Sequence, residues 1–315
     1  MNLPSLIFID GGDPTETQKA DELLKAHGFA GVQGQTTNPT LVAKNPDVQK
    51  YIAAGKKLTQ AEALSQYKKI VTSISAVTSG PISIQVIGDQ STSKDDMLAQ
   101  ARVYKDWIPN GVVKFPCTTN GLAAAEIFCQ EFPVNITLNF SQAQAAAVYQ
   151  VTKLTKHRVF ISPFVGRLDD LGENGMDVVA NIVRMYNNSP QPSLNLREGV
   201  PPLNLRGGQK GLLHSKVHSC HVEVLTASVR TLNHLLYALF LKSPAITVPY
   251  KILLEWESLG FRLPGEDFIY DYGALKPIPY QELTLDRDWC SYDLRHDLTD
   301  KGLAKFMEDW RSIIK

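Results

Sequence analysis

Eight short apolar, β-rich runs punctuate this sequence, at residues 6–10, 31–37, 82–87, 112–116, 134–138, 159–165, 221–228 and 245–249. Helical patterns lie between them, at 15–26, 58–78, 94–107, 121–131, 141–153, 176–186 and 231–241. Strands covered on both faces read as continuous apolar runs, and a parallel neighbour is reached only by a crossover connection. Eight such alternations predict an α/β fold, a (β/α)8 TIM barrel, rather than an open sheet. The length of 315 residues suits one such barrel as a single domain spanning 1–315, although it would also hold two average domains.

Two stretches break the rhythm and are expected to be long insertions. Residues 187–220 are rich in Pro, Gly, Asn and Ser, as in Ser189-Pro190-Gln191-Pro192-Ser193 and Arg206-Gly207-Gly208. They read as a loop between the sixth helix and the seventh strand, at the barrel end opposite an active site. Residues 258–297 separate a helix near 252–256 from a final helix at 300–314, and could reach over a neighbouring subunit. A homo-oligomer is accordingly the expected assembly.

Lys+Arg and Asp+Glu are equal at 32 each, so no global field draws the chain to nucleic acid or an anionic membrane. The N-terminal apolar run ends at once in Asp10-Gly11-Gly12-Asp13, unlike a signal peptide or a membrane span. Cys117, Cys129, Cys220 and Cys290 are scattered without a CxxC pair, which fits reduced structural thiols in a cytoplasmic protein. His214, His218 and His221 invite a metal reading, but such histidines are more often loop and strand-edge residues, so no metal is expected.

Parity within the strands sorts the polar residues. Alternate residues of a barrel strand face the interior, and catalytic groups come from the C-terminal strand ends. In 6–10 the face carrying Asp10 also carries Phe8 and Leu6, leaving Ile7 and Ile9 toward the helices. Lys114 sits among apolar neighbours in Val112-Val113-Lys114-Phe115-Pro116. The same count groups Ser83 with Gln85, Asn135 with Thr137, Ser162 with Phe164, and Thr226 with Ser228. If the polar face is the inner one, Asp10, Asn38, Gln85, Lys114, Asn135, Thr137 and Ser162 converge near one end, a polar chamber with a single lysine.

A lysine in low dielectric loses its proton more readily, and the free amine can attack a carbonyl. The resulting iminium is an electron sink for breaking the adjacent carbon–carbon bond. Asp10 could exchange a proton with the substrate hydroxyl at that bond, and Gln85 and Thr137 could hold the water of Schiff-base formation and hydrolysis. Asn38, Asn135 and Ser162 could hydrogen-bond substrate hydroxyls. Spacing alone leaves another reading equally open, a structural ion pair between Lys114 and Asp10.

Arg167 follows the sixth strand, and Ser228 and Arg230 end the seventh. Two guanidiniums and a hydroxyl at adjacent strand ends suit a phosphate, because Arg presents forked donors. Each Arg taken alone is more often a solvated charge, or a partner for a carboxylate such as Asp169 or Asp170.

Together these segments resemble the transaldolase family, which includes the fructose-6-phosphate aldolases. Phe8-Ile9-Asp10, Thr36-Thr37-Asn38-Pro39-Thr40, Val112-Val113-Lys114-Phe115-Pro116, Asn135-Ile136-Thr137-Leu138, Ser162-Pro163-Phe164-Val165-Gly166-Arg167-Leu168-Asp169-Asp170, Ala227-Ser228-Val229-Arg230 and Leu298-Thr299-Asp300-Lys301-Gly302 look like family motifs in family order. The resemblance implies a (β/α)8 barrel, a Schiff-base lysine at Lys114, Asp10 as acid/base, Asn38 as a hydroxyl contact and Thr137 as the residue that positions water. It further implies that Asn135 and Ser162 bind substrate, that Arg167, Ser228 and Arg230 hold phosphate, and that neither metal nor organic cofactor takes part. Sugar phosphates are the implied substrates.

Two positions point to different members of that family. Gln85 resembles the fructose-6-phosphate aldolases where transaldolases usually carry Glu, whereas Phe164 resembles transaldolases where those aldolases place Tyr. The first expectation is a transaldolase, transferring a dihydroxyacetone unit from a ketose phosphate to an aldose phosphate. An aldolase handling free dihydroxyacetone is the alternative. A barrel that binds sugar phosphate without turnover is disfavoured, because it has no need of a desolvated amine.

Overall fold

A computed structural model describes residues 2–189 and 220–315. Eight parallel strands close into a barrel in sequence order: β1 (Leu6–Asp10), β2 (Gln35–Thr36), β3 (Ile82–Gln85), β4 (Gly111–Pro116), β5 (Val134–Asn139), β6 (Val159–Pro163), β7 (Val222–Thr226) and β8 (Ala245–Val248). Closure is direct, with Leu6 to Ile9 of β1 opposite Ala245 to Val248 of β8. The predicted (β/α)8 architecture is the one observed.

Helices α1 (Pro14–Ala26), α2 (Pro39–Ala43), α3 (Pro46–Ala53) and α4 (Gln60–Val77) precede β3, and α5 (Lys94–Tyr104), α6 (Thr119–Phe128) and α7 (Gln142–Val151) follow β3, β4 and β5. After β6 come α8 (Val165–Asp169) and α9 (Gly175–Asn187), then α10 (Leu232–Phe240), α11 (Tyr250–Ser258) and α12 (Asp297–Ile313). Short polar side chains start most of them. Asp13, Asn38, Asn45, Ser93, Thr118, Ser141, Asn174 and Thr231 each accept a first-turn N–H, and Thr59 forms a reciprocal capping box with Glu62. Each such cap stabilises its helix by about 1 kcal/mol relative to Ala.

Several predicted bounds shrink for identifiable reasons. The run 31–37 contributes only two strand residues, because Gly31 turns with φ +84° and the Val32 N–H is taken by Asp21 Oδ1 at 3.0 Å. Residues 164–165 leave β6 as the chain winds into α8, whose first amides bond to the Ala227 and Ser228 carbonyls. The short helices α2, α3 and α8 went unforeseen, being too brief to show a period.

Parity is realised in the register. Gln85 lies opposite Lys114, Lys114 opposite Asn135, and Thr137 opposite Ser162, so these side chains share the inner face. Phe8 meets Phe160 edge-on across the barrel at 5.8 Å between centroids, while Ile7 and Ile9 are buried on the other parity. On β7 the inner parity belongs to Leu225 rather than to the predicted Thr226, which hydrogen-bonds Ser243 at 2.8 Å. At the N-terminal ends of β6 and β7 Arg158 and Glu223 form a two-point ion pair, at 2.8 and 2.6 Å.

Residues 259–296 pack against their own chain. Lys276 exchanges backbone hydrogen bonds with Gly172 and Asn174, Ile278 bonds Asp177 and Asn181, and Gln281 bonds Gln142. Most of the stretch 187–220 lies outside the described residues, as do His214 and His218. His221 is described, and its Nε2 lies 3.1 Å from Thr152 Oγ1. No helix among the described residues is long and apolar enough to cross a membrane.

Candidate active site

Lys114 is 1% exposed, midway up β4, with its amine delivered toward the C-terminal end of the barrel. Burial pulls its pKa down to about 8, a fall that the Asp10 charge resists and the Arg167 charge reinforces. At pH 7 that leaves about a tenth of the amine unprotonated, several hundred times more than an ordinary lysine offers. The amine donates to the Thr37 carbonyl at 3.4 Å and stands 5.7 Å from the centre of the Phe164 ring.

Asp10 closes β1 at the barrel mouth and accepts a hydrogen bond from Thr36 Oγ1 at 2.7 Å. Burial raises its pKa, against the charges of Lys114 and Arg167 and the Thr36 bond. Among the described residues no ion pair within 4 Å joins Lys114 to Asp10. They act on each other through space, and the predicted alternative of a closed structural ion pair is not what forms.

Buried polar groups are normally hydrogen-bonded, and unsatisfied ones call for an explanation. Gln85 Oε1 and Nε2 and Thr137 Oγ1 are buried with no hydrogen-bond partner among the described residues. They belong to strands on either side of Lys114, so donors and acceptors left over by the fold surround the amine.

Other predicted contacts are engaged within the protein. Asn135 Nδ2 donates to Ser83 Oγ at 3.0 Å, and Ser162 Oγ donates to Asn135 Oδ1 at 2.8 Å, a relay across three strands. Asn38 spends its Oδ1 on the Leu41 N–H as the α2 cap, which leaves its NH2 group.

The cationic cluster divides. Arg167 has no carboxylate partner within 4 Å among the described residues; its guanidinium lies between the rings of Phe164 and Phe306, 5.3 Å from each centroid. Arg230 is 43% exposed at its side chain and pairs with Asp170, so for this Arg the carboxylate alternative is realised. Ser228 adopts φ +58° between them, its carbonyl accepting the Gly166 N–H at 3.1 Å. Behind this turn His234 donates to Asp169 at 2.8 Å and accepts the Arg230 N–H at 3.4 Å.

The final helix α12 is a component that strand parity could not disclose. Thr299 donates to the Leu138 carbonyl, Gly302 packs on Arg167 and Leu138, Asp309 accepts from Thr40, and Arg311 bonds Asp89. Leu138 is the next-to-last residue of β5, and Arg167, Thr40 and Asp89 follow the C-terminal ends of β6, β2 and β3, so α12 runs across the mouth of the barrel. Thr36, which shares the inner face with Asp10 and belongs to the segment Thr36-Thr37-Asn38-Pro39-Thr40, is a further component of the site.

Residues 7–315 match the family model described as transaldolase/fructose-6-phosphate aldolase. The chain belongs to this family. Relatives named "probable transaldolase" extend over nearly all of it. One from Dehalococcoides mccartyi is 29% identical over 311 residues, covering 98% of this chain and 99% of the relative. One from Alkaliphilus metalliredigens is 27% identical over 310 residues, with the same 98% and 99% coverage. A relative from Clostridium botulinum is 30% identical over 268 residues, 84% of this chain and 95% of its own. Membership of the transaldolase/fructose-6-phosphate aldolase family makes the protein an enzyme of aldol chemistry, and the barrel mouth with its buried lysine is the candidate place for it.

Proposed function

We propose that this enzyme is a transaldolase that uses Lys114 to form a Schiff base with a ketose phosphate and passes a dihydroxyacetone unit to an aldose phosphate. The observation that carries the reading is the fully enclosed Lys114 amine, its pKa drawn down by burial, facing Asp10 and flanked by the unpartnered polar atoms of Gln85 and Thr137.

The neutral amine attacks the donor ketone, and loss of water from the carbinolamine leaves a protonated imine. Asp10 as carboxylate takes the proton of the hydroxyl on the departing carbon. The carbon–carbon bond breaks, its electron pair moves into the iminium to give an enamine, and an aldose phosphate leaves. The enamine carbon then attacks the acceptor aldehyde while Asp10 returns the proton, and water releases the new ketose. Gln85 and Thr137 orient that water. Arg167 holds the phosphate, aided by Ser228 and by Arg230 once its guanidinium turns from Asp170.

Phe164 favours transfer over release. Its ring lies beside the amine and carries no hydroxyl through which the enamine could gain a proton. Gln85 favours the second reading, an aldolase that frees dihydroxyacetone, because it resembles the residue that fructose-6-phosphate aldolases carry where transaldolases usually have Glu.

The decisive experiment is borohydride reduction in the presence of fructose 6-phosphate or dihydroxyacetone, followed by peptide mass spectrometry. A reduced donor fragment on Lys114 is expected, and folded protein without an adduct would overturn the covalent reading. Transfer to erythrose 4-phosphate is expected to outrun release of glyceraldehyde 3-phosphate without acceptor; the opposite order favours the aldolase.

A further inference from the structure

Tyr67 belongs to α4, outside the barrel wall, yet it is completely enclosed and its hydroxyl enters the seam between β2 and β3. The β2–β3 ladder is short, pairing only Gln35 with Ile82 and Thr36 with Ser83. Beyond those pairs Tyr67 helps to hold the two strands together. The Gln85 N–H donates to the Tyr67 oxygen at 2.8 Å, and Thr37 Oγ1 lies 2.7 Å from that oxygen.

The polarity of this chain follows from its far end. Thr37 Oγ1 donates its proton to the Ser83 carbonyl at 2.6 Å, so the proton between Tyr67 and Thr37 comes from the tyrosine. Each hydroxyl thus gives one bond and receives one. The tyrosine ring is wedged against Tyr104, Trp107 and Trp310, which leaves the hydroxyl little room to wander. Both ends reach the candidate site. One fixes the backbone of Gln85, and the other fixes Thr37, whose carbonyl accepts the Lys114 amine at 3.4 Å.

We propose that Tyr67 is a positioning residue for the Lys114 amine, acting through the Thr37 peptide, and for the side chain of Gln85, acting through its backbone amide. The proposal rests on the reading of Lys114 as the nucleophile. A carbonyl held toward the amine stabilises its protonated form and aims the nitrogen, so loosening Thr37 weakens both effects. Among the described residues the other charged groups facing Lys114 are Asp10 from β1 and Arg167 from α8, and Tyr104 is the other titratable side chain against Tyr67. Removing the Tyr67 hydroxyl touches neither Asp10 nor Arg167 directly, and relieves only the upward push that Tyr67 exerts on the Tyr104 phenol.

The test is Tyr67→Phe, which conserves ring and volume, with the 13Cε resonance of Lys114 followed against pH in selectively labelled protein. The resonance is assigned by its loss in Lys114→Met. The midpoint is expected to fall by about 0.5 or more on the pH scale. Borohydride trapping is expected to slow by about tenfold with KM held within about twofold, the mark of a misaimed group rather than a lost binding contact.

Thr37→Val cuts the same chain at its next link and is expected to lower the midpoint too, which preserves the test should Tyr67→Phe fail to fold. A folded Tyr67→Phe with the wild-type midpoint would overturn the proposal. So would slower trapping that merely follows the melting temperature while the midpoint stays fixed. If the midpoint falls but wild-type protein traps no donor, the positioning role stands and the Schiff-base reading of Lys114 fails.

Discussion

Gly302 of α12 lies so close to Arg167 that a Cβ at that position would run into the guanidinium, and into the Leu138 side chain as well. The C-terminal helix thus gives the cation both its aromatic neighbour, Phe306, and the space it occupies. Gly302→Ala should help the helix locally, since Ala exceeds Gly in helix propensity by about 1 kcal/mol, while pushing Arg167 aside. We expect KM for a phosphorylated donor to rise about tenfold, or about 1.4 kcal/mol, with that for free dihydroxyacetone nearly unchanged. Steady-state kinetics on both donors check this, and equal effects on the two would argue against Arg167 as the phosphate holder.

Lys114→Met should inactivate the enzyme and stabilise the fold. The folded pKa of about 8 lies below the ordinary 10.5, so the charged lysine penalises the folded state. The penalty, about 3 kcal/mol, is fully present below pH 8, fades as pH rises toward 10.5 and vanishes above it, where both states are neutral. Denaturant melts of the two proteins across this range should show the variant's advantage largest near neutrality and shrinking in alkali.

The same titration should govern adduct formation. Borohydride trapping is expected to rise with pH and level off above a midpoint of about 8. Asp10→Asn removes a charge that holds the lysine pKa up, so its midpoint should lie lower. Cleavage of a phosphorylated ketose should drop about 100-fold or more, because the proton acceptor is gone. An upward shift in the variant would show that Asp10 does not act on Lys114 through its charge.

Gln85→Glu places a carboxyl opposite Lys114 in the β3–β4 register. Its charge should raise the trapping midpoint, and because transaldolases usually carry Glu at this position, transfer should improve over free release. Product ratios with and without an aldose acceptor measure this. A clear loss of transfer would mean that Gln85 suits a different donor.

At the opposite end of the barrel, Arg158→Met should leave kcat and KM unchanged while lowering stability by about 1–3 kcal/mol, because it strands the half-buried Glu223. Replacing both residues with apolar ones should restore much of that loss. Thermal melts and a double-mutant cycle provide the measure.

Much of this was legible along the chain because a strand repeats every two residues. Once Asp10 is placed inside, Phe8 follows; once Lys114 is inside, its register neighbours Gln85 and Asn135 complete a chamber. A single charge in an apolar strand has few places to go, and family motifs spread over seven segments narrowed the chemistry further.

Relations between distant segments were beyond that reach. Arg230 and Asp170 are 60 residues apart, and whether they meet depends on the paths of two loops that no periodicity encodes. Strand parity said Thr226 could point inward, but the β7–β8 register gives the inner face to Leu225. The pattern of α12 identified a helix without saying that it crosses the barrel mouth to confine Arg167. Tyr67 falls within the helical run 58–78, and its hydroxyl acquires meaning only where the β2–β3 ladder stops. The physical reason is common to these cases: alternation along one strand is a property of the local backbone, whereas hydrogen bonds, ion pairs and close approaches between segments depend on how the closed barrel packs them together.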